Sequence, residues 1–531
     1  MNVSDVMASF LKTAGIDCVF GYPGDPSVEV LEGLRRQNGR FVLASREGTA
    51  GLMAEGWAMV SGRPGVALST LGPGSTNLVN AVANATLDRV PMIAISGQID
   101  RLRRSTFTHQ VVDHAAMFAP VAKWVAEVTP ETVGHVLRKA HKIAASDRPG
   151  AVHLTTPADV VGAPAGDGQI AVAPAEVATG LTITVEPGAD PVRMMRAARR
   201  PVVLYGIAAK RHRAGAAIVR LAEASGAALV SSPMAKGTVP ESHPRFAGVL
   251  DMACNNRMWA FLASADLIVA AGFDAVELIK PWTVRVPVLH VDTRPNEDQI
   301  YAAEAECVGP IGPILDALAA EASGDGWSEA ALAQHRAALA EACEDGRVAG
   351  RLNPTDVIRL VRAASAPDAI ATTDVGSHKL LVGQCWACDR APGVLMTNGL
   401  SSMGFSLPAA IGAKIADPEA EVVCFTGDGG LAMVLAELGT AASLGLSFRV
   451  VVFCDGSLNR IELKQAARGY PPVGTRIEEP EVVGLARALG CDGVSVGTAA
   501  DLERALAEPL PADRPLVIGA RIDPAQYAAQ F

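Results

Sequence analysis

Two aspartates, each placed at the end of an apolar run, are the groups in this 531-residue chain best positioned to do chemistry. The run Val422 to Thr426 leads into Gly427-Asp428-Gly429-Gly430 and then into a helical pattern through Met433, Leu438 and Ala442. A second run, Phe448 to Phe453, ends at Cys454-Asp455-Gly456-Ser457. Glycines let backbone approach an anion closely and present N–H donors at a helix start, where the dipole favours phosphate. Asp428 and Asp455 end neighbouring strands, so their carboxylates can converge on a hard cation that prefers oxygen ligands. A backbone carbonyl near Ser457 completes a site that such a cation shares with a diphosphate. A Gly-Asp-Gly by itself is an ordinary turn. The whole strand–GDGG–helix–strand–polar turn is the specific signal.

Parallel strands must carry these loops, and the chain supplies them in three blocks. The first, to about residue 160, alternates apolar runs (18–20, 65–70, 91–97, 151–157) with helical patterns, which predicts βαβ units. A second holds runs at 200–206, 266–272 and 286–292, and a third has them at 369–374, 421–428, 449–455 and 515–522. Blocks one and three share a strand–helix rhythm without a close sequence repeat. The Ala-, Pro- and Gly-rich stretch 163–180 reads as a linker, and the charged, helix-prone stretch 320–350 as a connection between domains. Hydrophobic residues make up 49% and charged residues 19%, a globular balance. The net charge of −10 leaves no basic footprint for nucleic acid. Nine scattered cysteines, no signal-peptide pattern and no run near the ~18 apolar residues of a membrane span make the cytoplasm the expected location, with no membrane partner.

Further segments extend the pattern. SREGTAGLMAEGWAMVSGRPGVAL (45–68) sets Glu47 at the entry of an apolar helix, where a lone acid is usually a partner for the helix dipole. The stretch 69–98 carries Gly72-Pro73-Gly74 and Asn77, and TDVGSHKLL (373–381) is followed by TNGLSSMGFSLPAAIGAKIADP (397–418). Taken together and in order, these segments resemble the thiamine diphosphate-dependent enzymes, and among them the acetolactate synthase-like 2-keto acid decarboxylases and carboligases. The resemblance implies an α/β fold of three domains whose parallel sheets are flanked by helices. These are a pyrimidine-binding domain (1–165), a central Rossmann-like domain (186–322) and a diphosphate- and Mg2+-binding domain (350–531). It implies thiamine diphosphate as cofactor, with Mg2+ held by Asp428, Asp455 and the carbonyl of Ser457. Glu47 then hydrogen-bonds N1′ of the aminopyrimidine, and Gly376, Ser377 and His378 touch the diphosphate. The backbone of Ser401 and Met403 holds the aminopyrimidine, and the Met403 side chain enforces a bent cofactor. Pro23, Gly24, Pro73, Asn77, Gly427, Gly429, Gly430, Leu458 and Asn459 fall on further cofactor-binding positions. Cys454-Asp455 departs from the paired asparagines common there, although aspartate still offers oxygen to a cation.

The substrate side is less fixed. The match places Gln110 in the active site beside His109, which is either an acid–base group or a helix-end histidine bonded to backbone. Asp25 either faces substrate or caps a helix beginning at Pro26. Lys464 stands where acetolactate synthases typically carry a tryptophan. With Glu462 it implies a different, acidic acceptor, or else both lie on a solvated helix face. Glu55, further along its helix, reads as an ordinary salt-bridge partner, and Cys385-Trp-Ala-Cys388 as helix packing. The run Gly272 to Glu277 lacks the Gly-x-Arg-x-Asp-x-Arg pattern and argues against FAD. The implied reaction decarboxylates pyruvate or a related 2-keto acid and passes the acyl carbanion to a second carbonyl. The alternative is a non-oxidative decarboxylase or 2-hydroxyacyl lyase. The resemblance also implies a homodimer or homotetramer, with Glu47 from one subunit and the metal turn from the other.

Overall fold

The computed structural model describes residues 1–167, 169, 190–322, 324, 326–478 and 481–531, so most of the expected linker, and residues 186–189 of the expected central domain, lie outside the described residues. The apolar runs become three six-stranded sheets. The first contains β1 (Cys18–Tyr22), β2 (Arg40–Leu43), β3 (Gly65–Ser69), β4 (Met92–Gln98), β5 (Trp124–Glu127) and β6 (Ala151–Pro157), in the order β2-β1-β3-β4-β6-β5. The second contains β7 (Pro201–Tyr205), β8 (Ala228–Ser231), β9 (Phe246–Val249), β10 (Leu267–Ala271), β11 (Val288–Asp292) and β12 (Ala305–Val308). Its order, β12-β11-β10-β7-β8-β9, is the doubly wound arrangement. The third contains β13 (Ile370–Thr373), β14 (Val394–Met396), β15 (Val422–Gly427), β16 (Arg449–Cys454), β17 (Asp492–Val496) and β18 (Leu516–Arg521). Its order, β14-β13-β15-β16-β18-β17, repeats that of the first sheet strand for strand.

Every strand pairing is parallel. Parallel neighbours need crossovers, and these place helices on both faces, so the inner strands are buried on both sides. The period of two then divides the core. On β15, Val422 and Cys424 join the apolar cluster of the first sheet, while Val423 and Phe425 join a cluster shared with the central sheet. The central sheet splits likewise: Val202 and Leu204 face the third sheet, and Val203 and Tyr205 face its own helices. The third sheet is thus held on each face by a different neighbour.

One crossing fixes the first and third units to each other. The helix Glu47–Ser61 is buried along most of its length and lies against the helix Ser406–Ala416. A methyl group added at Gly56 would stand 2.5 Å from Cα of Ala409, and one at Gly412 would stand 2.8 Å from the backbone nitrogen of Trp57. Only glycine permits such backbone proximity. Beside this crossing runs a buried polar seam. Asn84 donates through Nδ2 to both oxygens of Glu55 and to Asp88, and its Oδ1 accepts from Thr397. Asp88 in turn accepts the N–H groups of Asn398 and Gly399. Glu55 is therefore not the ordinary salt-bridge partner that its sequence position implied. Burial, and then the nearby Asp88 charge, push its carboxyl well above the ordinary value.

Two measurements test this junction. Gly412→Ala should destabilise the protein by about 1–3 kcal/mol through overpacking and lower the calorimetric melting temperature by several degrees. Glu55 keeps its proton in the folded state where the unfolded chain, with its ordinary value of 4.5, has lost it. Folded-state stability is therefore fully supported below that pH and falls as pH rises above it. The permanently neutral Glu55→Gln should lose less melting temperature than wild type between about pH 5 and about pH 8; equal slopes would refute the protonated carboxyl.

Candidate active site

Parallel sheets deliver ligating loops at the carboxyl ends of their strands, above all where the strand order reverses. All the sequence-derived candidates but Asn77, Glu462 and Lys464, which lie within the helices that follow, sit there. In the first unit Pro23, Gly24 and Asp25 follow β1, Glu47 follows β2, the Gly72–Gly74 turn follows β3, and His109 and Gln110 lie in the loop after β4. In the third unit Gly376–His378 follow β13, Ser401 and Met403 follow β14, Gly427–Gly430 follow β15 and Asp455–Asn459 follow β16.

The first-unit loops interlock. Gly24 packs so closely on Thr70 that a methyl there would lie 2.7 Å from Cβ of Thr70. Gly72 adopts φ +47°, and its Cα hydrogens face Gln110, whose Cβ would be 2.8 Å from an added methyl. Pro73 opens the helix Pro73–Leu87, and Asn77 on that helix donates to Oε2 of Glu47 at 3.0 Å. Glu47 is only 7% exposed and starts its own helix, where the dipole stabilises a carboxylate. The structure therefore brings Glu47, Gly74, Asn77 and the Gln110 backbone into one corner. His109 is exposed, stands ahead of the helix His114–Phe118 and meets the ring edge of Phe107, so it is not a helix-end histidine. Asp25 begins a short 3-10 turn and caps nothing: Ser27, not Asp25, accepts the N–H of Gly24.

The third-unit loops form a second corner. Asp428 begins the helix Asp428–Val434, and its Oδ2 accepts the N–H groups of Gly456 at 2.8 Å and Asp455 at 3.2 Å. Asp455 accepts the N–H of Ser457, and burial, followed by the charge of Asp428, pushes its carboxyl up to about 7. One buried and one half-buried carboxylate, with adjacent carbonyls, form a hard oxygen set that a divalent cation would satisfy. Among the described residues no group of three or more His, Cys, Asp or Glu side chains could hold a metal by itself. An ion here must therefore complete its shell with backbone and ligand oxygens. Ser377 donates to Asn459 at 2.6 Å, which ties the turn after β13 to the turn after β16. Leu458 and the Met403 methyl lie 3.3 and 3.7 Å from where a Gly429 Cβ would be, so a side chain at 429 would fill this cradle.

Sequence reasoning missed Asp374, the fully buried residue on which this corner turns. Its Oδ1 lies 3.0 Å from Nε2 of His378, and its Oδ2 accepts the N–H of Gly404 at 2.8 Å. The Oδ2 atom also accepts from Thr426, and a methyl at Gly430 would stand 3.1 Å from the Asp374 carboxyl carbon. One acid thus aligns three cofactor-type loops. Its signal was an aspartate closing the run AIATTD.

Glu462 and Lys464 do not act as a pair. They sit two residues apart on the helix Asn459–Ala466 and diverge. Glu462 accepts from Ser457 and pairs with Arg476, while Lys464 lines a cavity of about 460 Å3 that Gly376 and Ser401 also line. In the Gly272–Glu277 run Asp274 pairs with Arg89 and Arg148, and Glu277 accepts the N–H of Ile207. Cys388 packs beside Glu241, Trp386 meets the edge of Phe425, and all nine cysteines are free. Among the described residues no helix is long and apolar enough to cross a membrane. No hydrogen bond or ion pair among the described residues joins Glu47 to the Asp428 corner.

The chain matches three domain families: thiamine pyrophosphate enzyme, N-terminal TPP binding domain, over residues 1–117; its central domain over 189–318; and its C-terminal TPP binding domain over 374–520. It is similar to the acetolactate synthase isozyme 1 large subunit of Escherichia coli (strain K12), at 30% identity over 98% of this chain and 94% of that protein. An acetolactate synthase of Mycobacterium bovis is 32% identical over 91% of this chain and 82% of its own length. A Pseudomonas aeruginosa protein named "Probable 2-ketoarginine decarboxylase AruI" is 30% identical over 92% of this chain and 89% of its own length.

Replacing the hub tests the geometry. Asp374→Asn turns an amide towards the Gly404 N–H and should cost about 1–3 kcal/mol of stability. Calorimetry should also record a loss of affinity for thiamine diphosphate with Mg2+ of about tenfold, as the loops that Asp374 ties together lose their common anchor. Unchanged affinity would remove Asp374 from the site.

Proposed function

Because this chain belongs to the acetolactate synthase-like thiamine pyrophosphate enzymes, we propose that it decarboxylates a 2-keto acid, pyruvate or a close relative, and joins the acyl unit to a second carbonyl. The observation that carries this reading is the pair of corners: a buried glutamate held by Asn77, and two aspartates laced by backbone N–H groups beside a glycine cradle. Bound thiamine diphosphate supplies the carbon nucleophile and the sink for the electron pair left by departing CO2.

The chain's own residues position and protect. Asp428, Asp455 and the Ser457 carbonyl would hold Mg2+, and the N–H groups from Gly427 to Gly430 would meet the diphosphate at a helix start. Gly376, Ser377, His378, Leu458 and Asn459 would line that end. Glu47 would share a proton with the pyrimidine ring, which Pro23, Gly24, Pro73, Asn77 and the backbone of Ser401 enclose, with Met403 supporting the bent cofactor. Gln110 would orient the substrate carbonyl, and the exposed His109 would exchange a proton with solvent. Asp25 would face substrate at the rim.

The domain limits in this reading are 1–165, 186–322 and 350–531. Likeness to this family supports two subunits completing each site, as a homodimer or homotetramer in the cytoplasm. This reading includes no flavin, because the Gly272–Glu277 run lacks the Gly-x-Arg-x-Asp-x-Arg pattern. A second reading, a non-oxidative decarboxylase or 2-hydroxyacyl lyase, draws on the relative named as a 2-ketoarginine decarboxylase.

Incubation with pyruvate, thiamine diphosphate and Mg2+ separates the two: acetoin after acid treatment supports ligation, and free aldehyde alone supports the lyase. Glu47→Gln should lower kcat by about 10²-fold or more while cofactor still binds. A protein with no calorimetric response to thiamine diphosphate with Mg2+ would end both readings.

A further inference from the structure

The cavity beside Lys464 gives this reading a substrate class. It is about 460 Å3, the scale of a small-ligand site, and lies between the central and third units. Besides Lys379, four cations line it from three stretches of chain: Arg257 from the helix Asn255–Ala263, Lys280 from the loop before β11, and Arg460 and Lys464 from the helix Asn459–Ala466. Among the described residues none of the four meets a carboxylate within ion-pair distance. Arg460 is fixed by stacking over the Phe531 ring, 4.7 Å from its centre, which leaves its N–H donors free. Two acids share the wall, Asp251 and Asp345. Asp251 is spent on structure: it accepts the N–H groups of Ile279 and Lys280 and the amide of Asn255. Lys379 also lines the wall, but its ammonium is taken by the carbonyl of Thr397 and by Asn398.

A concave, cation-rich wall in a chain of net charge −10 is a selective feature rather than a reflection of overall composition. Its neighbours Gly376 and Ser401 are residues that the proposed function places at the cofactor. We infer that this cavity receives the side chain of a dicarboxylic 2-keto acid, with Lys464, Lys280, Arg257 and Arg460 binding the carboxylate remote from the reacting carbonyl. The inference rests on the proposed function for its reacting end and on the cavity alone for its anionic end. A neutral side chain leaves the four cations unpaired, and a guanidinium-bearing one is repelled.

The test compares 2-ketoglutarate, 2-ketobutyrate and 2-ketoarginine as donors for the thiamine diphosphate- and Mg2+-loaded enzyme. Wild type should favour 2-ketoglutarate over 2-ketobutyrate in kcat/KM by about tenfold or more, with 2-ketoarginine last. Lys280→Glu/Lys464→Glu, two exposed positions, should cut the first ratio by about tenfold, and added salt should reduce it in wild type. Ratios unmoved by the substitutions, or a defect traced to weaker thiamine diphosphate binding, would overturn the inference while leaving the proposed function intact. If no keto acid turns over, calorimetric binding of 2-ketoglutarate that the double variant abolishes upholds the cavity assignment although the proposed function fails. No such binding in wild type overturns it.

Discussion

Backbone contact between two helices governs this molecule. At Gly56 and Gly412 the helix that begins with Glu47 and the helix that follows Met403 come closer than any side chain would allow. Their approach sets the relation between the first and third sheets, and through it the attitude of both candidate corners. The crossing is apolar and non-directional by itself. The seam of Asn84, Glu55, Asp88 and Asn398 beside it supplies direction, because each buried polar group there has one partner geometry that satisfies it. Close packing and a polar register together hold the two units to a single arrangement.

The third sheet carries an unusual share of the architecture. Alternate residues of β15 and β16 bind it to the first unit on one face and to the central unit on the other. The loops at its carboxyl edge cannot shift as a group without disturbing both cores. Within that edge Asp374 does locally what the helix crossing does globally. It holds His378, Gly404 and Thr426 to one point, so that three loops with no sequence proximity share an anchor.

How much of this could be read from residues follows burial. The runs singled out in the sequence correspond to inner strands, such as β3, β4, β7 and β10, which are buried at every position and therefore continuously apolar. Four of the six edge strands among the described residues, β2, β5, β12 and β17, are only partly covered, and their sequences RFVL, WVAE, AECV and DGVSV carry charges that dilute the signal. The other two, β9 and β14, are buried but span only four and three residues. The glycine turn at 72–74 was legible because Gly72 adopts a positive φ, and that at 427–430 because Gly430 leaves no room for a side chain beside Asp374. Asp374 and Glu55 were not, since an aspartate at a strand end or a glutamate within a helix looks the same whether buried or solvated. Glu462 and Lys464 were read as neighbours, yet a spacing of two on a helix turns side chains apart.

The identical winding of the first and third sheets has a further meaning. Two lobes with one strand order inside a single chain set equivalent loops at equivalent places on their rims. The turn after β3 abuts Glu47, while its counterpart after β15 carries Asp428. Matching frames thus bear unlike side chains, and the asymmetry of the molecule lies in its loops rather than in its sheets.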